Sequence, residues 1–221
     1  PRVDDNDWVL ELTERDDLFV GLVGNLDMFQ KSFPSQLDRL RKNSRFLGVR
    51  VHLMRKRGVS DNSDFVSNLR YLAEADLTLD VLMNGEGVET IDEVAKLAGL
   101  VPDLRMVVNH VLGFNINGEL PNAAWTEAVK TLSQRENVRV KVSGLYQRSS
   151  QQPASQEIAY YQGLLDVLWE HFGADRLIYG SNWPCTKKSG DYTSFVRLVN
   201  RYFHDKGQAA SEKFFWMNAA S

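Results

Sequence analysis

Apolar residues fall along this chain in two alternating rhythms. Six short runs rich in Val, Leu and Ile recur at intervals: "LFVGLVGNLD" (18–27), "FLGVRVHL" (46–53), "LTLDVLMN" (77–84), "LRMVVNHVLG" (104–113), "VRVKVSGLY" (138–146) and "RLIYGSNW" (176–183). Each has strand length and the β-branched content that favours extended backbone. Between them, apolar positions recur at helical spacing. "SQLDRLRKN" follows Pro34, a residue suited to a first helical turn. "DFVSNLRYLAEA" gathers Phe65, Leu69 and Leu72 on one face, and "NAAWTEAVKTLSQ" gathers Trp125, Val129 and Leu132. "VETIDEVAKLAG" and "IAYYQGLLDVLWEHFG" are predicted to end on Gly99 and Gly173 as C-terminal caps. "YTSFVRLVNRYF" is the last of these helices, and "PRVDDNDWVLEL" reads as the run-in to one more.

Strand and helix alternate throughout, with no composition break to mark a second domain. The whole of 1–221 therefore reads as a single α/β unit of parallel strands joined by right-handed crossovers. An open doubly wound sheet and a (β/α)8 barrel both satisfy that pattern. No GxGxxG or GxxxxGK[ST] follows the first strand, which weakens the nucleotide-binding form of the open sheet. A barrel needs eight units and about 250 residues, and six units are visible.

Successive side chains on a strand point to opposite faces. Val49, Val51 and Leu53 share one face, leaving Arg50 and His52 on the other. Leu79, Val81 and Met83 likewise oppose Asp80 and Asn84, and Val138, Val140 and Val142 oppose Lys141 and Ser143. Asn25 and Asp27 oppose Gly24 and Leu26, and Asn182 shares a face with Ile178 and Gly180. In a parallel barrel the apolar faces meet the helices and the others meet the axis. The predicted interior is then polar, with His110 among its members, and its later members sit near strand ends that would line an active-site mouth. A plainer reading stands beside this one. Arg50 and Asp80, on adjacent strands, also fit a buried ion pair, and Lys141 fits a structural partner of the same kind. His171 and His204 read as helix-surface residues. Trp183 fits either packing or the wall of a pocket.

The bulk numbers narrow the partners. The chain has 221 residues, is 43% hydrophobic and carries a net charge of −3. That balance supports a folded core and argues against nucleic acid or an anionic membrane as partner. No apolar segment reaches the roughly 20 residues of a membrane-spanning helix. A single cysteine, Cys185, permits no internal disulfide, which is mildly in favour of a reducing, cytoplasmic setting. No base is recognisable beside it, so a nucleophilic role is not supported.

"FGADRLIYGSNWP" resembles the last barrel strand of the amidohydrolase superfamily, in the branch that holds sugar lactonases such as fuconolactonase and the pyrone-dicarboxylate lactonases. That branch ends its eighth strand with Gly-Ser-Asp-Trp-Pro. "NVRVKVSGLY" is similar to its seventh strand (Lys-Leu-Ser-Gly), "LRMVVNHVLG" to its sixth (Asp-His-x-Gly) and "FLGVRVHL" to its fourth (Gly-Val-Arg-His). "LDVLM" and "FVGLVGNLD" fill the fifth and third places, so the resemblance is collinear over essentially the whole chain. It implies a TIM-like (β/α)8 barrel of which strands 3 to 8 are present, the first two falling before Pro1, in an N-terminally truncated chain. It also implies a hydrolase of a small polar cyclic ester, a sugar lactone or carboxylated lactone, working at the C-terminal mouth. His110, Asn182 and Lys141 would be catalytic. Arg50, His52, Asp80, Asn84, Ser143 and Trp183 would bind substrate.

The chain departs from the family at two points. The His-x-His pair of the family's first strand is absent, and Asn182 stands where the family has a water-activating aspartate. A carboxamide cannot accept a proton as a general base does, and it is a poor ligand for a hard cation. The expectation is therefore that one divalent zinc would be used at most in a full-length protein, with His110 as a ligand, and that no ion is tightly held by this chain. Two other functions stay open: a binding protein that keeps the pocket without the base, and a metal-dependent amide hydrolase or decarboxylase. The expected partner is a small molecule, and a homo-oligomer would cover two strand edges left open at 18–27 and 176–183.

Overall fold

A computed structural model describes residues 5–53, 58–83 and 87–221. Six parallel strands form one sheet: β1 (Leu22–Asn25), β2 (Phe46–His52), β3 (Thr78–Leu82), β4 (Met106–Val108), β5 (Val138–Val142) and β6 (Leu177–Tyr179). Their order in the sheet is their order in the chain. A doubly wound sheet would reverse its order at a switch point. Here every crossover runs the same way, so the helices cover one face and the other face is left for an interior.

The strands sit within the predicted runs but are shorter, because each run ends in residues that bend the chain toward a loop. The helices follow their apolar rhythm closely. They are α1 (Asp5–Arg15), α2 (Phe33–Leu40), α3 (Ser63–Glu74), α4 (Val88–Leu100), α5 (Ala123–Ser133), the short α6 (Leu145–Arg148), α7 (Ala159–Phe172), α8 (Tyr192–His204) and α9 (Gln208–Glu212). Asn62, Asn122 and Asp191 cap α3, α5 and α8 by accepting from backbone N–H groups three residues on. One predicted boundary is corrected. Gly99 lies inside α4 rather than capping it, and a Cβ there would come within 3.2 Å of the Arg135 guanidinium carbon. Gly173 does follow the end of α7, as predicted.

The helix-facing side of the sheet is the core. Val49, Leu79, Val81, Val108, Val138, Val140 and Val142 are fully buried there, each worth about 1.5–3 kcal/mol relative to exposure. On the opposite face, Val23, Asp80, Val107, Lys141 and Ile178 line a cavity of about 1510 Å³. That cavity reaches toward the strand starts, past Thr78, Arg105 and Arg139, and touches the polar cluster only at Asp80 and Lys141. β1 and β6 are the two end strands of the sheet. At β1, the buried side chain of Asn6 from α1 takes over edge pairing: its amide accepts from the Asn25 N–H and donates to the Asn25 carbonyl, both at 2.9 Å.

Candidate active site

The site begins with one carboxylate. Asp80 on β3 is in register with Arg50 on β2, so the two side chains leave the same face side by side. Arg50 Nε donates to Asp80 Oδ1 at 2.9 Å. Lys141 Nζ reaches over β4 from β5 and donates to Oδ2 at 2.7 Å. The buried Asn109 amide donates to Oδ1 as well. Asp80 is 1% exposed and both its oxygens are engaged, so its part here is to hold two cations rather than to face solvent. Burial by itself would raise the Asp80 pKa. The charges of Lys141 and Arg50 outweigh burial and hold the carboxyl below its ordinary value. The trio carries one positive charge in excess of its carboxylate, and both cations are partly exposed.

The next element defies simple alternation. Extended backbone through β4 would send His110 to the helix side with Met106 and Val108. Instead the strand stops, and His110, Val111 and Leu112 adopt left-handed φ values of 52°, 48° and 59°, followed by Gly113 at 69°. Such angles cost about 1–3 kcal/mol each in non-glycine residues and persist where the surroundings over-determine them. The turn swings the imidazole back, and His110 Nδ1 lies 2.8 Å from Ser143 Oγ. Burial first, then the neighbouring charges of Lys141 and Arg50, depress the His110 pKa to about 4, with Asp80 opposing. The ring is therefore neutral at pH 7.

β6 supplies Asn182 from its following loop, in a left-handed conformation (φ 52°) that Asn tolerates better than most residues. Gly144, at φ 67°, marks where β4, β5 and β6 converge. A Cβ there would lie 3.1 Å from His110 Nδ1 and 3.5 Å from Asn182 Nδ2. The missing side chain thus lets the imidazole and the carboxamide approach one point. Thr186 fixes the loop, its N–H donating to the Asn182 carbonyl at 3.1 Å and its hydroxyl to the Ser181 carbonyl. Trp183, half exposed, stands edge-on to Tyr192 at 5.8 Å.

Of the sequence-predicted residues, the structure brings Arg50, Asp80, Lys141, Ser143, His110 and Asn182 together at adjacent strand ends. His52 closes β2 as an exposed residue on the Arg50 face. Asn84 lies outside the described residues. Cys185 is exposed in the loop beyond Pro184. Two contributors are absent from the sequence reading. Asn109 could have been found, because the same alternation puts it on the face of Val107. Arg148 carries no such signal, since its partners are the Gly113 and Phe114 carbonyls and Asn115 Oδ1 of a loop distant in sequence. Among the described residues no group of three or more His, Cys, Asp or Glu side chains gathers as a metal would require. His110 and His52 are imidazole donors at this end, but Asp80 is consumed by its cations and Asn182 is uncharged. A zinc site of three protein ligands is not formed by these residues. No helix among them is long and apolar enough to cross a membrane.

A model of the amidohydrolase family matches the sequence over residues 1–221. An L-fucono-1,5-lactonase of Burkholderia ambifaria is 24% identical over 201 residues, covering 88% of this chain and 66% of that protein, so the chain spans just under two thirds of that relative. An amidohydrolase of Burkholderia multivorans with bound zinc superposes with a TM-score of 0.86 at 23% identity, over 98% of this chain and 78% of that one. A probable 2-pyrone-4,6-dicarboxylic acid hydrolase of Acinetobacter baumannii, with citric acid bound, gives 0.74 at 15% identity, over 97% and 77%. The shared fold is that of the TIM-barrel amidohydrolases.

Proposed function

The chain belongs to the amidohydrolase family, and from that premise we propose that it hydrolyses a small polar lactone, a sugar lactone or a carboxylated one, at the C-terminal ends of its strands. The observation that carries this reading is the pair of cations clamped on Asp80 beside a neutral imidazole. Lactone hydrolysis builds negative charge on a carbonyl oxygen, and fixed positive charge aimed at that oxygen lowers the barrier. Lys141 fills this role, its ammonium oriented by Asp80. Arg50 grips a ring oxygen or a carboxylate, which a guanidinium can do with two parallel hydrogen bonds.

The remaining task is to move a proton. In the tautomer whose Nδ1–H donates to Ser143 Oγ, the His110 ring offers Nε2 as an acceptor to water. The water oxygen adds to the carbonyl carbon while its proton passes to Nε2. The ring C–O bond then breaks, and that proton goes to the departing alkoxide. The product is a hydroxy acid, whose carboxyl releases one proton at neutral pH. Asn182 orients the water or the substrate by hydrogen bonds in place of a base. The zinc held by the Burkholderia multivorans protein belongs to that protein. The donors described here do not complete such a site, and no step is routed through a metal.

A second reading is favoured by Asn182 itself: a protein that binds the ring without opening it. A panel of aldonolactones and carboxylated lactones, followed by acid release at constant pH, separates the two. Turnover of one of them supports the hydrolase. Thermal stabilisation by the same compounds with no acid release overturns it in favour of binding alone.

A further inference from the structure

The left-handed turn 110–113 is held at both ends, and its exit is held by the guanidinium of Arg148 from α6. At the entrance, the Asn109 N–H donates to the Val81 carbonyl at 2.9 Å and its amide to Asp80. In the middle, Val111 and Leu112 are buried, so their side chains resist any return to ordinary angles. At the exit, one guanidinium spans three acceptors. Arg148 Nη2 donates to the Gly113 carbonyl at 2.5 Å and to Asn115 Oδ1, and Nε donates to the Phe114 carbonyl at 3.1 Å. Guanidinium is the side chain suited to this, because its donors lie in one rigid plane.

We propose that Arg148 is a positioning residue for His110: it clamps the exit of the left-handed turn so that the imidazole stays against Ser143. A β-branched residue such as Val111 rarely holds a positive φ. With the exit released, the turn can relax toward right-handed or extended backbone, and His110 then leaves Ser143. The main chain beneath the clamp is independent of the Arg148 side chain. The Ile116 N–H donates to the Arg148 carbonyl at 2.8 Å, and the Ser150 N–H to the Ile116 carbonyl at 2.7 Å. Removing the guanidinium therefore loosens 113–115 without unpairing 116 from 148–150. The catalytic consequence of this clamp rests on the reading of His110 as the proton carrier, but the positional consequence does not.

The test uses ring-¹⁵N-histidine NMR at pH 8 on the wild type and on Arg148→Met and Arg148→Lys, with Ser143→Ala and His110→Gln as references for assignment. The wild type is expected to show one fixed tautomer for His110. Arg148→Met is expected to show the averaged nitrogen shifts of a released ring, as Ser143→Ala does, while His52, His171 and His204 stay in place. Arg148→Lys keeps the charge but spans fewer acceptors and is expected to fall between; it decides the matter if the Met variant does not fold. An unchanged His110 signature with only a lower melting temperature makes Arg148 an ordinary structural residue and overturns the proposal. Where a lactone is turned over, Arg148→Met should lower kcat roughly tenfold with KM held, and should cost nothing further in a His110→Gln background, since coupled residues are non-additive. Equal losses in both backgrounds also overturn it. If the wild type opens no lactone, the hydrolase reading fails while the NMR result still decides the clamp.

Discussion

Lys141 on β5 donates to Asp80 on β3 at 2.7 Å, across the whole width of the intervening strand. Only a long flexible side chain can span a strand in this way. The bond ties three strands together at the end where chemistry is proposed. Because Arg50 holds the other oxygen, Asp80 organises the charge of the site from a fully buried position.

Asp80→Asn should therefore be costly. Removing one member of a buried ionic group leaves its partners uncompensated, at about 3–5 kcal/mol. Partial exposure of Arg50 and Lys141 puts the expected loss near the lower end of that range. The pH dependence has a definite sign. The folded-state pKa of Asp80 lies below its ordinary value of 3.8, so the unfolded chain binds the proton more readily. The stabilisation is fully present above about pH 4 and is lost as pH falls through the folded value. Urea denaturation from pH 3 to 7 should show the gap between wild type and Asp80→Asn closing only at the acid end. A gap that is constant with pH would mean that the carboxylate charge is not what stabilises.

Lys141→Met separates holding from catalysis. Asp80 keeps Arg50 and Asn109, so the fold should survive with a modest drop in melting temperature. The rate on any lactone that is opened should fall about 100- to 1000-fold, the usual effect of removing one donor to a developing oxyanion. The fall should appear in kcat more than in KM. Initial rates of acid release give both numbers, and a variant retaining a third of the wild-type rate would remove Lys141 from the carbonyl.

The parts of this site that could be read from sequence are those set by strand alternation. Val49–Arg50–Val51, Leu79–Asp80–Val81 and Val140–Lys141–Val142 each place a charged residue between two β-branched or aliphatic ones, and all three charges meet. His110 does reach Ser143 at the polar strand ends, yet alternation along β4 is not the reason. It arrives there through a backbone reversal that no residue type in His-Val-Leu advertises, because Val and Leu disfavour left-handed angles. Asn109 was hidden by its showier neighbour. Gly99 looked like a helix stop because glycine usually is one, whereas here it makes room for Arg135. Arg148 was illegible, because its acceptors are carbonyls brought near only by the fold.

Gly180→Ala tests the closeness of packing under the site. A Cβ at 180 would lie 2.9 Å from Lys141 Cδ and 3.0 Å from Ser143 Cβ. The lysine stem can yield, but the Ser143 backbone cannot, so Lys141 is pushed off Asp80 and Ser143 off His110. Overpacking of this kind costs about 1–3 kcal/mol. The expected outcome is a lower melting temperature together with a loss of turnover larger than that of Ser143→Ala alone. A variant as stable as the wild type would show that β5 and β6 are less closely opposed than described.

Asn182→Asp puts a carboxylate where this chain has an amide. The left-handed backbone at 182 accepts either residue, so the substitution should leave the fold intact. The new charge would stand near the neutral His110, across the gap left by Gly144. A general base at the site of water activation is worth about 100-fold or more. Lactone hydrolysis by the Asp form should rise by that order if Asn182 merely replaces a base. Equilibrium dialysis against zinc, run beside the rate assay, tells a gain through added metal affinity from a gain through the base alone. A fall in rate without any change in stability would mean that the amide itself donates to substrate or water during the reaction. Asn182 would then be a working group in its own right, and His110 would remain the sole candidate for the proton.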